Sequence, residues 1–325
     1  MSMRELEGRP IRIQTWGRTD PGQVRRENQD TFLILQFPNG PGEPARALRP
    51  ADRAGDGSGA EWGDSPEGEG RELHGDAEFE LGSRGALLLV ADGMGGAAGG
   101  ATASREGVSR LHRAFVDGWD DERERTPERY ARHLKRAVEE ANRHVHELAR
   151  ANPRLEGMGS TLTAAGFLDD FVYLAQVGDS RAYLVREGRV VQLTRDQSMV
   201  QELVDSGAMT EEEARRSSQR NVILQALGIG PSVQVDLTYL QVREGDLILL
   251  CSDGLSGVVE DTELAEYEAQ FRALPALCEA LVELANSRGG PDNITVVAAR
   301  AEGPGLRSAG VGEPARRESF PFPDA

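Results

Sequence analysis

The chain has 325 residues, 38% of them hydrophobic, and carries a formal net charge of −17 at pH 7. This length suffices for one large domain with a real core. The acidic balance argues against nonspecific binding to nucleic acids or anionic membranes, both of which require a basic face. A site for an anionic ligand would therefore have to be made locally positive, by arginine or by metal ions.

Two cysteines, Cys251 and Cys278, each lie in an apolar stretch without a CxxC partner, so neither a disulfide framework nor a zinc cluster is indicated. The longest apolar runs are too short to span a bilayer. The N-terminal MSMRELEGRP lacks the apolar core of a signal peptide. We expect a cytoplasmic monomer with no nucleic-acid or membrane partner.

Two segments lack apolar periodicity. Residues 38–83 are rich in Gly and Pro and contain eleven Asp or Glu against four Arg, and residues 303–325 are similar in character. Such segments bury too little apolar area to offset the entropy of ordering them. The sequence therefore predicts a single domain over 1–302 with a disordered insertion at about 38–83, and a disordered tail over 303–325.

In the first half, short apolar runs bounded by Gly, Asp or Pro predict strands. A helix is predicted near 100–116. A second helix is predicted from Pro127, capped by Thr126 and ended by Asn152-Pro153. The predicted strands are 11–16, 31–37 and 86–92.

In the second half, closely spaced strands joined by turns at Asp169-Asp170 and Glu187-Gly188 predict an antiparallel meander. A short helix is predicted from Met199, and Thr210 with Glu213 forms a capping-box pattern for another. Because strands and helices are grouped rather than strictly alternating, we predict an α+β fold. The remaining predicted elements are strands at 160–167, 171–177, 181–186, 190–193, 234–240, 246–253 and 293–299, and a helix at 274–286.

Five aspartates stand at the ends of apolar strands, most of them beside glycine: Asp30, Asp92, Asp179, Asp253 and Asp292. Carboxylates gathered at one rim of a sheet repel each other unless cations neutralise them. Because no histidine accompanies them, hard oxygen ligands indicate Mg²⁺ or Mn²⁺ in a two-metal site. Asp-Gly is also an ordinary turn dipeptide, so the residues alone leave a turn role open.

Seven motifs occur in the order typical of one enzyme family. They are RRENQD (25–30), VADGMGG (90–96), GMGSTLTA (157–164), VGDSRAYLVREG (177–188), LTRDQS (193–198), LCSDGLSGVV (250–259) and GGPDNITVV (289–297). The chain resembles the PPM family, the type-2C metal-dependent protein phosphatases, and most closely its bacterial branch. The resemblance spans about residues 14–300, apart from the insertion.

The resemblance implies two stacked antiparallel β-sheets flanked by helices on both outer faces. It implies two Mn²⁺ or Mg²⁺ ions, with Asp92 as the bridging ligand, and a third, weaker ion at Asp179. Arg25 corresponds to the arginine that binds the substrate phosphate, a task suited to its planar fork of donors; its neighbour Arg26 is the competing candidate. The implied ligands of the two ions are Asp30, Asp92, the backbone carbonyl of Gly93, Asp253 and Asp292. Asn28 and Asn293 could support this site or serve only as turn residues.

The chain departs from the family pattern at three places. Met94 stands where animal members carry a histidine proposed as the general acid, and bacterial relatives often share this methionine. Gln197 and the pair Ser217-Ser218 stand where a histidine and a His-Pro pair are common. The latter two departures lie in or beside a predicted flap at about 198–230, so substrate preference or loop stability could differ there.

The resulting hypothesis is a protein serine/threonine phosphatase in which a water bridging two metal ions attacks phosphorus directly. Its substrates would be phosphorylated proteins, with Ser/Thr kinases as candidates. The main alternative is an inactive PPM-like domain that binds a phosphoprotein. A cysteine-dependent phosphatase is excluded because Gly257 stands where CxxxxxR requires arginine, and DGMGGAAGG lacks the lysine of a P-loop.

Overall fold

A computed structural model describes residues 9–37, 45–48, 77–120, 125–310 and 312–320. The strands are β1 Arg12–Asp20, β2 Asp30–Gln36, β3 Arg46–Leu48, β4 Ala77–Glu80, β5 Ala86–Met94, β6 Gly159–Ser160, β7 Leu162–Leu168, β8 Phe171–Val177, β9 Arg181–Arg186, β10 Arg189–Gln192, β11 Asp236–Gln241, β12 Leu247–Cys251, β13 Ile294–Glu302 and β14 Glu318–Ser319. The α-helices are α1 Gly96–Asp120, α2 Pro127–Ala151, α3 Met199–Asp205, α4 Glu211–Arg216, α5 Asp253–Ser256, α6 Asp261–Gln270 and α7 Leu274–Ser287. A single 3₁₀ turn, Pro153–Leu155, follows α2.

The strands form two antiparallel sheets. The first has the order β10-β9-β12-β13-β1-β4, and the second has the order β14-β11-β8-β7-β5-β2-β3, with β6 paired to β5. One apolar cluster joins the two sheets, a second joins the second sheet to α1 and α2, and a third joins the first sheet to α6 and α7. The predicted α+β architecture of two stacked sheets with helices on both outer faces is confirmed.

Burial on both faces explains the strand sequences. Strands β7, β12 and β13 lie between the opposite sheet and a helical layer, and their residues are almost all buried. Such strands read as continuous apolar runs rather than as an alternating pattern. Strands held in this way cannot shift easily, so residues at their ends are positioned rigidly.

The signals at the ends of α2 act as predicted. The Thr126 side chain accepts a hydrogen bond from the Arg129 N–H, Pro127 occupies the first turn, and the Asn152 N–H bonds to Leu148 O. The capping box between Thr210 and Glu213 also forms at α4. Helices α5 and α6 were not predicted. No helix among the described ranges is both long and apolar enough to cross a membrane.

The predicted four-strand meander is wrong at its centre. Strands β7 and β8 form one hairpin and β9 and β10 form another, but the two hairpins lie in different sheets. The chain crosses between the sheets at residues 178–180, where Gly178 has φ +97°. A Cβ at Gly178 would lie 2.7 Å from the Thr161 side chain, so only glycine fits. This crossing brings Asp179 to the edge where both sheets meet.

The predictions of disorder are wrong for parts of both segments. Within 38–83, β3 pairs with β2, and β4 pairs with β1 and buries Phe79. Within 303–325, Leu306 is buried between the sheets and β14 pairs with β11. These short pieces have too few apolar residues to show periodicity, yet each adds to an exposed sheet edge or fills a gap in the core. Residues 38–44, 49–76, 311 and 321–325 lie outside the described residues.

Replacing Leu306 by alanine tests whether the tail belongs to the core. Leu306 is 6% exposed, so we expect Leu306→Ala to lower the free energy of unfolding by about 2–5 kcal/mol, as for other buried leucines. Urea unfolding followed by circular dichroism measures it. The control is Val191→Ala at a 41% exposed site; equal small losses in both variants would contradict the packing of the tail.

Candidate metal centre

Asp30 and Asp92 face each other across neighbouring strands. Asp30 opens β2 and pairs in register with Asp92 of β5. One carboxylate oxygen of Asp30, Oδ2, accepts hydrogen bonds of 2.7 Å from each of the Ser252 and Thr295 hydroxyls, which belong to the other sheet's side of the molecule. The other oxygen, Oδ1, is buried and has no hydrogen-bond partner. Asp30 is therefore anchored by one oxygen and has the second available for a ligand.

The backbone at Asp92 is fixed on both sides. Its N–H donates to Thr161 Oγ1 at 3.0 Å, and its carbonyl accepts from the Thr161 N–H at 2.8 Å and from Ser160 Oγ at 3.0 Å. A Cβ at the next residue, Gly93, would lie 2.1 Å from Gly100 O. Only glycine allows this close approach, so the backbone that carries the Asp92 side chain is fixed.

Asp253 and Asp292 come from the first sheet. Asp253 follows β12 and opens α5, and its Oδ1 is buried without a hydrogen-bond partner. Asp292 precedes β13; its Oδ1 accepts from the Asn293 N–H at 2.9 Å and its Oδ2 accepts from Arg25 Nη2 at 2.7 Å. These two carboxylates therefore stand at adjacent ends of β12 and β13, which pair with each other.

The predicted metal ligands and Arg25 lie at or beside one cleft of about 840 Å³, whereas Asn28 and Asn293 are not among its lining residues. Asp30 is buried beside Asp92. The other predicted carboxylate residues line the cleft itself, as do Arg25 and Gly93. These residues therefore do not lie on separate surfaces. The cleft is lined by Arg25, Arg26, Glu27, Gln29, Asp92, Gly93, Met94, Gly95, Gly96, Thr161, Asp179, Asn221, Val222, Ile223, Asp253 and Asp292.

Burial makes this carboxylate cluster costly as a set of anions. Desolvation raises the pKa of Asp30 to about 7 and that of Asp179 to about 8, and the charge of Asp253 adds to both shifts. Desolvation also raises the pKa of Asp253. It raises the pKa of Asp92 well above its ordinary value, and the charge of Asp30 is the next largest cause of that shift. Cations would remove both the desolvation and the repulsion problem.

The donor set fits hard divalent cations that retain water. The unpartnered oxygens of Asp30 and Asp253 are carboxylate oxygens, and among the described residues neither histidine nor cysteine lines the cleft. Within the described ranges, no three acidic, histidine or cysteine side chains form a ready-made site for one ion. Mg²⁺ and Mn²⁺ suit this arrangement because they take oxygen ligands, and Mg²⁺ usually keeps several waters with one or two carboxylates.

Two asparagines hold the loop that carries Arg25. Asn293 Nδ2 donates to the carbonyls of Pro21 and Glu27 at 3.0 Å each, and Asn293 Oδ1 accepts from the Gln29 N–H at 2.9 Å. Asn28 Oδ1 accepts from the Asp30 N–H at 3.1 Å. Both side chains thus hydrogen-bond to backbone atoms within or beside the segment that carries Arg25 and Asp30.

Sequence reasoning missed the hydroxyl groups behind the aspartates. Ser252 and Thr295 hold Asp30, and Thr161 holds Asp92 while its hydroxyl lies 2.7 Å from Ser180 Oγ. Each of these hydroxyl residues lies within one of the seven motifs, and near an aspartate either in sequence or on a neighbouring strand. The sequence alone could not predict their hydrogen bonds, because it does not show which strands become neighbours.

The residues that depart from the family pattern have definite places. Met94 lines the cleft and has no proton to donate. Gln197 is buried, and its Oε1 accepts from the Gly178 N–H at 2.8 Å. Ser217 ends α4, and its hydroxyl accepts from the Gln219 N–H at 3.1 Å.

Comparison with known proteins agrees with this geometry. Residues 71–290 match the family model described as Protein phosphatase 2C. The serine/threonine phosphatase stp of Listeria monocytogenes is 38% identical over 212 residues, which cover 65% of this chain and 82% of that protein. The serine/threonine protein phosphatase PstP of Mycobacterium tuberculosis is 43% identical over 213 residues, 66% of this chain but only 40% of PstP.

A crystal structure supports the same relationship. The catalytic domain of PstP in complex with two manganese ions superposes with a TM-score of 0.66 and 33% sequence identity, covering 90% of this chain and 99% of that one. The matching architecture and the match to the family model over more than half of the sequence lead to one conclusion. The chain belongs to the protein phosphatase 2C family of bacterial PPM-type phosphatases.

Proposed function

We propose that this protein is a metal-dependent phosphatase that hydrolyses phosphoserine and phosphothreonine in other proteins. The observation that carries the proposal is the convergence of strand-end aspartates, two with unpartnered buried oxygens, on a cleft that also holds Arg25. The family relationship supports the same activity. An activated Ser/Thr kinase is the proposed class of substrate, by analogy with the family.

The proposed metal ligands are the carboxylates of Asp30, Asp92, Asp253 and Asp292 and the backbone carbonyl of Gly93. Two Mn²⁺ or Mg²⁺ ions are proposed there, and a third, weaker ion at Asp179. Such ions supply positive charge to a transferring phosphoryl group and lower the pKa of bound water. The chain's part is to hold the carboxylates rigidly in a partly dry cleft, so that binding cations relieves their mutual repulsion.

Arg25 is the proposed phosphate-binding residue. Its Nη2 donates to Asp292 Oδ2 at 2.7 Å, which orients the guanidinium, and 52% of its side chain remains exposed. The donors not engaged by Asp292 can bind phosphate oxygens in the fork geometry typical of arginine. On a protein of charge −17 this local cation also counters the repulsion of an anionic substrate.

The alternative, an inactive domain that only binds phosphoproteins, is disfavoured because all the proposed ligand residues occur in the sequence and lie at or beside one cleft. Asp253→Asn is expected to lower kcat on p-nitrophenyl phosphate with Mn²⁺ by more than about 100-fold, since even residues supporting a metal ligand contribute 10–100-fold. The fold should persist, because a neutral amide suits a site whose burial disfavours the anion.

Steady-state kinetics with Mn²⁺, with and without EDTA, measures the loss of kcat. A thermal melt in EDTA shows whether the fold persists. Asp236→Asn, outside the cleft, is the matched control. Near-normal turnover by Asp253→Asn would refute the ligand assignment. A wild-type protein with no Mn²⁺-dependent turnover above Asp92→Ala would favour the binding-domain alternative.

Arginine replacements separate Arg25 from Arg26. We expect Arg25→Ala to raise KM for a phosphopeptide about 10–100-fold, because charged hydrogen bonds contribute about 1.5–3 kcal/mol. Arg26→Ala should change KM by less than about threefold, as for an exposed charge. If Arg26→Ala shows the larger effect, the phosphate-binding role belongs to Arg26.

The raised pKa values predict that metal binding tightens with pH. In the metal-free protein, protons occupy Asp30 and Asp179 up to pKa values of about 7 and 8. In the folded protein the pKa values of both carboxyl groups exceed the ordinary 3.8. The stability that these two groups contribute is therefore fully present below pH 3.8 and is lost as pH rises through 7 to 8. Metal ions displace these protons, so the increase in Tm on adding Mn²⁺ should be larger at about pH 8.5 than at about pH 5.5.

Thermal melts at several pH values, with Mn²⁺ or with EDTA, measure this dependence. Asp30→Asn removes one of the titrating groups, so its melting temperature in EDTA should fall less with rising pH than that of the wild type. A Tm gain that is constant or shrinks with pH would show that protons do not compete with the metal at these carboxylates.

A further inference from the structure

Most of the large exposed apolar side chains belong to two segments that also contribute residues to the cleft. In the described chain, six large hydrophobic residues are exposed. One of them, Val191, lies on β10. The other five, which we call the apolar rim, belong to the loop before Arg25 or to the predicted flap: Val24, Met199, Val222, Leu224 and Ile229.

The apolar rim meets the proposed catalytic cleft at Val222. Val24 precedes Arg25, which lines the cleft, and Val222 lines it directly. On a further side, a Cβ added to Gly159 would lie 3.0 Å from Ile229 Cδ1, and the strand partner of Gly159, Met94, lines the cleft. A protein segment whose phosphorylated residue enters the cleft would therefore contact Val222 at the wall of the cleft.

The backbone of the flap is held in place. The Met199 N–H donates to Val222 O at 2.8 Å, and the Leu224 N–H donates to Gln197 O at 2.7 Å. Gln197 is itself buried behind the cleft. The exposed side chains of Val222 and Leu224, each 44% exposed, are thus presented by an ordered segment rather than by a free loop. An ordered apolar surface loses little entropy on binding.

Charge selects against one class of partner. The protein carries a net charge of −17, and the proposed metal ions would neutralise only the aspartates of the cleft, so the molecule as a whole stays acidic. Acidic residues beside a phosphoresidue would be repelled by this field. Apolar residues would instead gain by leaving water, and exposed apolar patches beside a site are typical of binding surfaces.

We propose that the apolar rim binds aliphatic or aromatic side chains that flank the phosphoserine or phosphothreonine of the substrate. This protein then prefers phosphorylated segments with apolar neighbours over segments with polar or acidic ones. The inference rests on the proposed phosphatase function and adds the chemistry of the substrate around the phosphate. The occupant is a substrate segment because the rim meets the cleft at Val222.

The test compares three phosphothreonine peptides that differ only in their flanking residues: leucine, serine or glutamate. We expect kcat/KM for the leucine peptide to exceed that for the serine peptide by about 10-fold, since one apolar group in a pocket discriminates about 10–200-fold. The glutamate peptide should be the poorest substrate. In the double variant Val222→Ser/Leu224→Ser the leucine-to-serine ratio should fall to about 1–3.

The matched control is Val191→Ser, an exposed valine away from the cleft, which should keep the wild-type ratio. All peptide rates are normalised to the p-nitrophenyl phosphate rate of the same variant. Should the double variant fail to fold, Val222→Thr, which keeps the shape and adds a hydroxyl, should still reduce the ratio.

Three results would overturn the proposal: no leucine preference in the wild type, an undiminished preference in the rim variants, or an equal loss in Val191→Ser. Sedimentation of wild type and double variant is run in parallel. A change in self-association with an unchanged peptide ratio would assign the rim to contacts between copies of this chain. Absence of Mn²⁺-dependent p-nitrophenyl phosphate turnover in the wild type would instead show that the phosphatase function itself fails.

Discussion

The repulsion between buried carboxylates governs this molecule. Asp30 and Asp92 stand directly opposite each other on paired strands, a placement that destabilises a sheet when both are charged. Burial adds to this cost, because removal from water disfavours the charged form of each group and so raises the pKa of both. A fold that keeps such a pair needs something to neutralise it, and divalent cations do so while also providing the charge that phosphoryl transfer requires.

The sandwich architecture is what prevents the carboxylates from moving apart. β12 and β13 are buried on both faces, so the strand ends that carry Asp253 and Asp292 have little freedom. Hydroxyls reach across from this sheet to Asp30 of the other, through Ser252 and Thr295. The two sheets are therefore joined at the site by hydrogen bonds as well as by their apolar core, and the cluster stays preorganised.

Much of this site could be predicted from local signals. Apolar runs ending in Asp-Gly marked Asp92 and Asp253, the family resemblance supplied the rest of the ligand set, and Thr126 and Pro127 marked the start of α2. The change of sheet between β8 and β9 could not be predicted, because a turn within a sheet and a crossing between sheets use the same residue types. The packing of Leu306 was likewise hidden, since one leucine in a polar tail has no periodicity to reveal it.

Gln197 shows how a departure from the family pattern can be reconciled with the same architecture. Its amide oxygen accepts from Gly178 N–H at 2.8 Å, next to Asp179, and its own backbone N–H donates back to Gly178 O at 2.9 Å. Because an amide does not titrate, it can accept this hydrogen bond at every pH, whereas a protonated imidazole could not. The backbone of Gln197 also accepts from Leu224 N–H. One neutral side chain and its backbone thus hold the crossing that positions Asp179 together with the segment that presents the apolar rim.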